Sequence, residues 1–137
     1  MELLKAREAA MAKFRPMLRS HGLTEQQWRV IRALAAYDNI DASELARRSF
    51  LLAPSLTRIL RFLEKEKIVD RSSDLNDQRR SVFALTARGR KIFAEVGPDS
   101  EALYAEIEEK FGVNKLESLY ELLADFYLAI RPKNEKS

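Results

Sequence analysis

The sequence predicts a mainly α-helical fold with one small β-hairpin, and three observations carry that prediction. Apolar residues recur at three- and four-residue spacing through most of the chain, the period of an amphipathic helix. Two short runs rich in β-branched and aromatic residues, Ile68–Arg71 and Val82–Leu85, flank a polar stretch from Ser72 to Arg80 and read as strands joined by a loop. Just before them, two short helices separated by a turn have the spacing of a helix-turn-helix. Together these make a winged helix-turn-helix. The expected organisation is a single domain over residues 1–137. Its winged helix-turn-helix lobe covers 24–97, and helices in 1–20 and 98–137 are left to join two copies.

Each element has its own local reason. Glu2–Arg19 reads as a helix through Leu3, Leu4, Met11, Phe14, Met17 and Leu18, with a kink or early end expected at Pro16. Thr24 caps the second helix, with Gln27 in capping-box position and Trp28, Ile31, Leu34 and Ala35 as the buried stripe. Residues 37–40 read as a turn. Asp41 with Glu44 opens a short helix through Arg48, with Leu45 and Ala42 toward the core. Pro54 suits the first position of the next helix, whose buried stripe is Leu56, Ile59, Leu60 and Leu63. Thr86 caps a long helix that Gly97-Pro98 is expected to interrupt. After Gly112 comes a last helix with Leu116, Leu119, Leu122, Leu123, Phe126 and Ile130. That is more apolar surface than one small-domain helix needs, so it is a candidate dimer face. Residues 132–137 are expected to fray.

Composition narrows the function. The chain has 137 residues, no cysteine and a formal net charge of +3. Without cysteine there are no disulfides and no thiolate chemistry, which fits a reducing cytoplasm. No apolar run has the length of a membrane span, and Met1–Lys5 leads straight into a helical pattern rather than a signal peptide. The charge is unevenly placed. Ala42–Lys91 holds twelve Lys/Arg against six Asp/Glu, while the flanking segments together hold twelve basic and fifteen acidic residues. A basic middle between acidic ends points to a polyanion as partner of the middle alone. In the Pro54 helix, Ser55, Thr57, Arg58 and Arg61 lie off the buried stripe. Hydroxyls and guanidiniums on an exposed helix face suit a DNA major groove.

The hairpin carries a wider likeness. Asp77-Gln78-Arg79, then Phe83, Leu85, Thr86 and Gly89, resemble the D-x-R…L-T-x-x-G wing signature of the MarR family of winged-helix regulators. Ala6–Met11, Phe14-Arg15-Pro16, Leu23–Arg29, Pro54–Thr57 and Asn76–Arg79 resemble, within that family, the repressors of homoprotocatechuate (hydroxyphenylacetate) degradation operons. Lys67 departs from the family pattern, which often has Gly at that helix end. The resemblance implies a homodimer on a pseudo-palindromic duplex, with the terminal helices interlocked. It implies a wing whose aspartate, here Asp77, orients Arg79 toward the minor groove, and an effector pocket between dimer helices and DNA-binding lobe.

Arg79 then suits insertion into a narrow minor groove, where negative potential is concentrated. Arg80 suits a phosphate. Arg58 can pair bidentately with guanine, while Ser55 and Thr57 suit phosphates or a thymine methyl. Arg15, Arg19, Ser20, His21 and Trp28 cluster in sequence around the break after the first helix. A cation for a carboxylate and an aromatic wall for a ring would suit a phenolic acid. Trp28 equally fits a plain core position and Arg15 an exposed helix charge, so the residues alone leave both readings open. No nucleophile–base pair, glycine-rich phosphate loop or metal-ligand spacing occurs, so no enzyme, metal or cofactor is expected. The expected function is a homodimeric DNA-binding repressor of an aromatic-compound catabolic operon, released by a small aromatic acid. A constitutive regulator of the same fold and a winged-helix protein-interaction module are the alternatives.

Overall fold

The computed structural model describes residues 1–133. The order is α1 (Glu2–Ser20), α2 (Glu25–Ala36), β1 (Ile40–Asp41), α3 (Ala42–Ser49), α4 (Ala53–Lys65), β2 (Val69–Ser73), β3 (Ser81–Leu85), α5 (Ala87–Phe111) and α6 (Val113–Ile130). The expected winged helix-turn-helix is present, mainly helical with one small antiparallel sheet. The fraying expected at the C-terminal end lies, from residue 134 on, outside the described residues. The chain divides into two compact units, Met1–Ser100 and Glu101–Ser137.

In the first unit, α2 packs against α1, α3, α4 and β3. With neighbours on so many sides it buries Val30 and Ala33 as well as Trp28, Ile31 and Leu34, while the expected Ala35 is exposed. Thr24 accepts the Gln27 N–H at 3.1 Å and the Gln27 side chain accepts the Thr24 N–H at 3.0 Å, which completes the capping box. Asp41 accepts the Glu44 N–H at 2.7 Å and so caps α3. Ala42 is exposed; the face toward the core carries Leu45 and Ser49, whose hydroxyl donates to the Leu45 carbonyl at 2.5 Å. α4 starts one residue earlier than expected, with Leu52 as its N-cap, and buries Leu56, Leu60 and Leu63.

Both internal prolines sit in unbroken helices, against the expected interruptions at Pro16 and Gly97-Pro98. The reason is the same in each case. A helical proline orphans the carbonyl four residues earlier, here Ala12 and Ala94, and both of these residues are exposed, so water can take the bond. Buried Phe14 and Leu18 flank Pro16, and buried Val96 and Ser100 flank Pro98, so packing holds each helix through its proline.

The sheet has the order β1-β3-β2. The β2–β3 ladder runs from Val69↔Leu85 to Ser73↔Ser81, and β1 adds Ile40↔Phe83 and Asp41↔Val82. Two residues are too few to show strand periodicity, so β1 replaces the end of the turn expected over residues 37–40. The hairpin is tied to its neighbours at one end. Thr86 donates its N–H to the Ile68 carbonyl at 3.0 Å and its hydroxyl to the Lys67 carbonyl at 2.6 Å, and that hydroxyl accepts the Gly89 N–H at 3.0 Å. A Cβ on Gly89 would lie 2.3 Å from the Ile68 carbonyl oxygen, so only glycine lets α5 begin this close to the hairpin. Lys67 adopts φ 59°, the left-handed conformation that favours glycine at a helix end.

The second unit contains the end of α5 and all of α6. In α6 only Leu116 is buried, while Leu119, Tyr120, Leu122, Leu123, Phe126, Tyr127, Leu128 and Ile130 are all exposed.

Candidate nucleic-acid interface

The basic middle of the chain sorts into engaged and unengaged cations. Arg47 and Arg48 pair with Glu44 at 2.6 and 2.7 Å, and their hydrogen bonds and charges, Arg47 foremost, hold the Glu44 carboxyl below its ordinary range. Arg48 also stacks 3.7 Å over the Tyr37 ring. Arg71 pairs with Glu64 at 3.0 Å, and Arg88 faces Glu66 at 3.9 Å. Arg58, Arg61 and Arg79 have no acidic partner among the described residues. All three are exposed.

Two of them stand on α4, opposite the buried row Leu56, Leu60 and Leu63. Thr57 is exposed and its hydroxyl donates back to the Ala53 carbonyl at 2.9 Å, while Ser55 is half-buried. An open groove of about 570 Å³ is lined by Thr57 and Leu60 of α4, Asp41–Ser43 at the start of α3, and Arg71, Arg79, Arg80, Ser81 and Phe83 of the hairpin. It therefore brings α4 and the wing arginines to one surface.

The wing loop is built from its own backbone. Asp74 donates its N–H to the Arg80 carbonyl at 2.8 Å, and Arg80 donates its own to the Asp77 carbonyl at 3.0 Å. The Asp74 carboxylate accepts the Asn76 N–H and the Asp77 carboxylate accepts the Arg79 N–H, each at 3.0 Å. Both acids thus turn inward onto amides. Arg80, expected to face phosphate, forms an ion pair with Asp41. Asp41 consequently caps α3 with one oxygen and anchors the wing with the other. The sequence shows the first role through the local Asp41–Glu44 pattern and gives no signal for the second.

The ligand candidates meet separate partners. Arg15 pairs with Glu8 at 2.9 Å and Glu25 at 3.1 Å, and Arg7 bonds the same two carboxylates at 2.9 Å each. Hydrogen bonds to Glu8 and Glu25 raise the Arg15 pKa, and Arg15 in turn holds Glu8 below its ordinary range. His21 Nε2 lies 2.7 Å from an Asp99 carboxylate oxygen. Ser20 donates to the Met17 carbonyl at 2.5 Å, and Arg19 is exposed. Trp28 is buried and stacks on Phe93, with ring centroids 5.7 Å apart. Glu8, Glu25, Asp99 and Phe93 were not legible as partners, because each pairing depends on how helices pack. Among the described residues no group of His, Asp and Glu is placed to hold a metal ion, and no helix is long and apolar enough to cross a membrane.

The MarR family profile matches residues 23–81. The homoprotocatechuate degradative operon repressor of Escherichia coli is 43% identical over 124 residues, which span 90% of this chain and 84% of that protein. The chain belongs to the MarR family. The HTH-type transcriptional regulator FarR of Neisseria gonorrhoeae is 45% identical over 123 residues, 90% of this chain and 84% of its own. The crystal structure of NadR in complex with 4-hydroxyphenylacetate superposes with a TM-score of 0.82 at 44% identity, covering 96% of this chain and 92% of that one. As a MarR-family member the chain is a DNA-binding transcriptional regulator and not an enzyme, and DNA-binding homodimers are typical of the family.

Proposed function

We propose that this MarR-family chain is a homodimeric repressor of an aromatic-compound catabolic operon, released from a pseudo-palindromic operator by a small phenolic or aromatic carboxylic acid. The observation that carries the reading is the 43% identity, across 90% of the chain, to a homoprotocatechuate degradative operon repressor. The similarity to NadR, crystallised with 4-hydroxyphenylacetate, supports the effector class.

In this reading α4 lies in the major groove. Arg58 and Arg61 meet base edges or phosphates, and Ser55 and Thr57 meet phosphates or a thymine methyl. Arg79 enters the minor groove with no competing carboxylate. Asp77 serves by fixing the Arg79 backbone, and Arg80 by tying the wing to α3. A second copy of the chain covers the exposed apolar residues of α6, with helices in 1–20 and 98–137 joining the copies.

The effector site is assigned to Arg15, Arg19, His21 and Trp28. The Trp28–Phe93 stack offers an aromatic wall. A ligand carboxylate reaching Arg15 exchanges with Glu8 or Glu25, which already neutralise it. The ligand shifts the equilibrium only by its differential affinity for the DNA-bound and released arrangements, a coupling of typically ~1–3 kcal/mol. Titrating a preformed operator complex with phenolic acids tests the reading. The expected result is roughly a five- to hundredfold weakening of DNA binding. No release by any aromatic acid at millimolar levels would leave a constitutive regulator.

A further inference from the structure

We infer that Leu75 is a DNA-contacting residue of the wing, packing its side chain against the deoxyribose wall of the minor groove beside Arg79. The inference rests on the DNA-binding reading of the wing above.

The loop geometry puts these two residues at one level. The Asp74 N–H to Arg80 carbonyl bond closes the loop and leaves a five-residue tip, Leu75 to Arg79. Leu75 is the first residue beyond the closure and Arg79 the last. They stand at the two ends of the tip, and the Arg80 N–H to Asp77 carbonyl bond makes Gln78 and Arg79 the corner of a tight turn. The tip is stiff for its size, since Asp74 and Asp77 each fold a carboxylate onto an amide two residues ahead. Those bonds commit both carboxylates to main-chain amides, so the tip offers a cation and an apolar group, the combination that suits an approaching polyanion.

Leu75 is fully exposed. A single exposed leucine means little elsewhere on a protein surface. Here it stands opposite an arginine without an acidic partner, in a loop whose other residues are polar. The minor groove offers two kinds of surface to such a pair. Its floor carries acceptors and concentrated negative potential, which suit the guanidinium. Its walls are lined by sugar C–H groups, which suit the leucine. Insertion between bases is the other use of apolar side chains in minor grooves. Leu75 directly follows the Asp74–Arg80 closure at the base of the tip, so the wall is its partner and the bases stay stacked.

An apolar contact releases no counterion, and this separates it from a charged one. The test uses a duplex selected from random-sequence DNA by the wild-type protein, with affinity measured across a range of salt. Leu75→Ser should weaken binding about fivefold to tenfold with an unchanged slope of log affinity against log salt. Leu75→Met should restore most of the loss. Arg79→Ala should weaken binding and flatten the slope. Leu75→Ser binding as tightly as wild type, while Arg79→Ala is weakened, overturns the leucine assignment and leaves the wing reading intact. Unchanged affinity in Arg79→Ala overturns the wing reading and this inference with it. Loss of 2-aminopurine unstacking on Leu75→Ser would show insertion between bases and overturn the wall contact.

Discussion

The Asp77 carboxylate accepts the backbone N–H of Arg79 at 3.0 Å and leaves the Arg79 guanidinium without an acidic partner among the described residues. The aspartate of the wing signature therefore acts on the arginine through the main chain. A carboxylate gripping the guanidinium would have cancelled its charge; one gripping the amide holds the main chain at Arg79 and leaves that charge intact.

This division of labour separates three substitutions. Arg79→Ala should weaken binding at every sequence and lower the salt slope by about 1. Asp77→Ala should weaken binding less and keep the slope, because the charge remains while its position loosens. Arg58→Ala should instead relax preference at one base pair, by about 1–3 kcal/mol. Affinity measured against salt and against single-base operator variants distinguishes the three. A slope change in Asp77→Ala would mean that the carboxylate acts on the guanidinium after all.

The hinge between α4 and the wing should respond to glycine in opposite ways at two positions. Lys67 holds φ 59°, where a non-glycine residue is penalised by roughly 1–2 kcal/mol, and glycine carries an unfolded-state entropy cost of about 0.5–1 kcal/mol. Lys67→Gly should thus stabilise the fold by about 0.5–1 kcal/mol and raise Tm by a few degrees. Gly89→Ala should destabilise by at least about 1–3 kcal/mol, because the new methyl meets the Ile68 carbonyl, a backbone atom that cannot rotate away. Thermal melts of the two variants beside wild type check both signs.

How much of this was legible in the sequence follows the range of each interaction. The Thr24–Gln27 and Asp41–Glu44 caps were readable because both partners lie within one turn. The wing loop was readable because its turn chemistry is local and its signature distinctive. Pro16 and Pro98 misled because the breaking rule is local, while the packing of Phe14, Leu18, Val96 and Ser100 and the solvent beside Ala12 and Ala94 are not. The Arg80–Asp41 pair and the Trp28–Phe93 stack join residues far apart in the chain, so no spacing encodes them. The same holds for which arginines are engaged: Arg48 and Arg58 look alike until Glu44 and Tyr37 are seen beside one and no acid beside the other.

Apolar side chains cover α6, and Leu122 is 67% exposed and Phe126 50% exposed. A surface of this kind marks an interface. Wild-type protein should sediment as a dimer at micromolar concentration. Leu122→Glu should weaken self-association at least about tenfold, because it places an unpaired charge in a dry contact. A two-fold dimer also requires operator half-sites about one helical turn, ~10 base pairs, apart. A wild-type monomer at micromolar concentration would remove α6 from the interface.

For an aromatic effector the protein carries its own reporter. Trp28 is the only tryptophan and stacks on Phe93 with rings 23° from parallel. An aromatic acid that joins this stack should change the Trp28 emission on titration. Its carboxylate meets Arg15 in competition with Glu8 and Glu25, so the Glu8→Gln variant, which removes one competing charge, should bind the acid more tightly than wild type. Arg15→Ala should bind it more weakly, since a charge-assisted bond is lost. The uncharged amide of the same compound should be indifferent to both substitutions. If Arg15→Ala and Glu8→Gln leave the affinity for the acid unchanged while Trp28 emission still responds, the ring site stands and the anchor passes to Arg19 or His21. His21→Ala then decides between those two, because it removes the imidazole now held 2.7 Å from Asp99 and leaves the guanidinium of Arg19 in place.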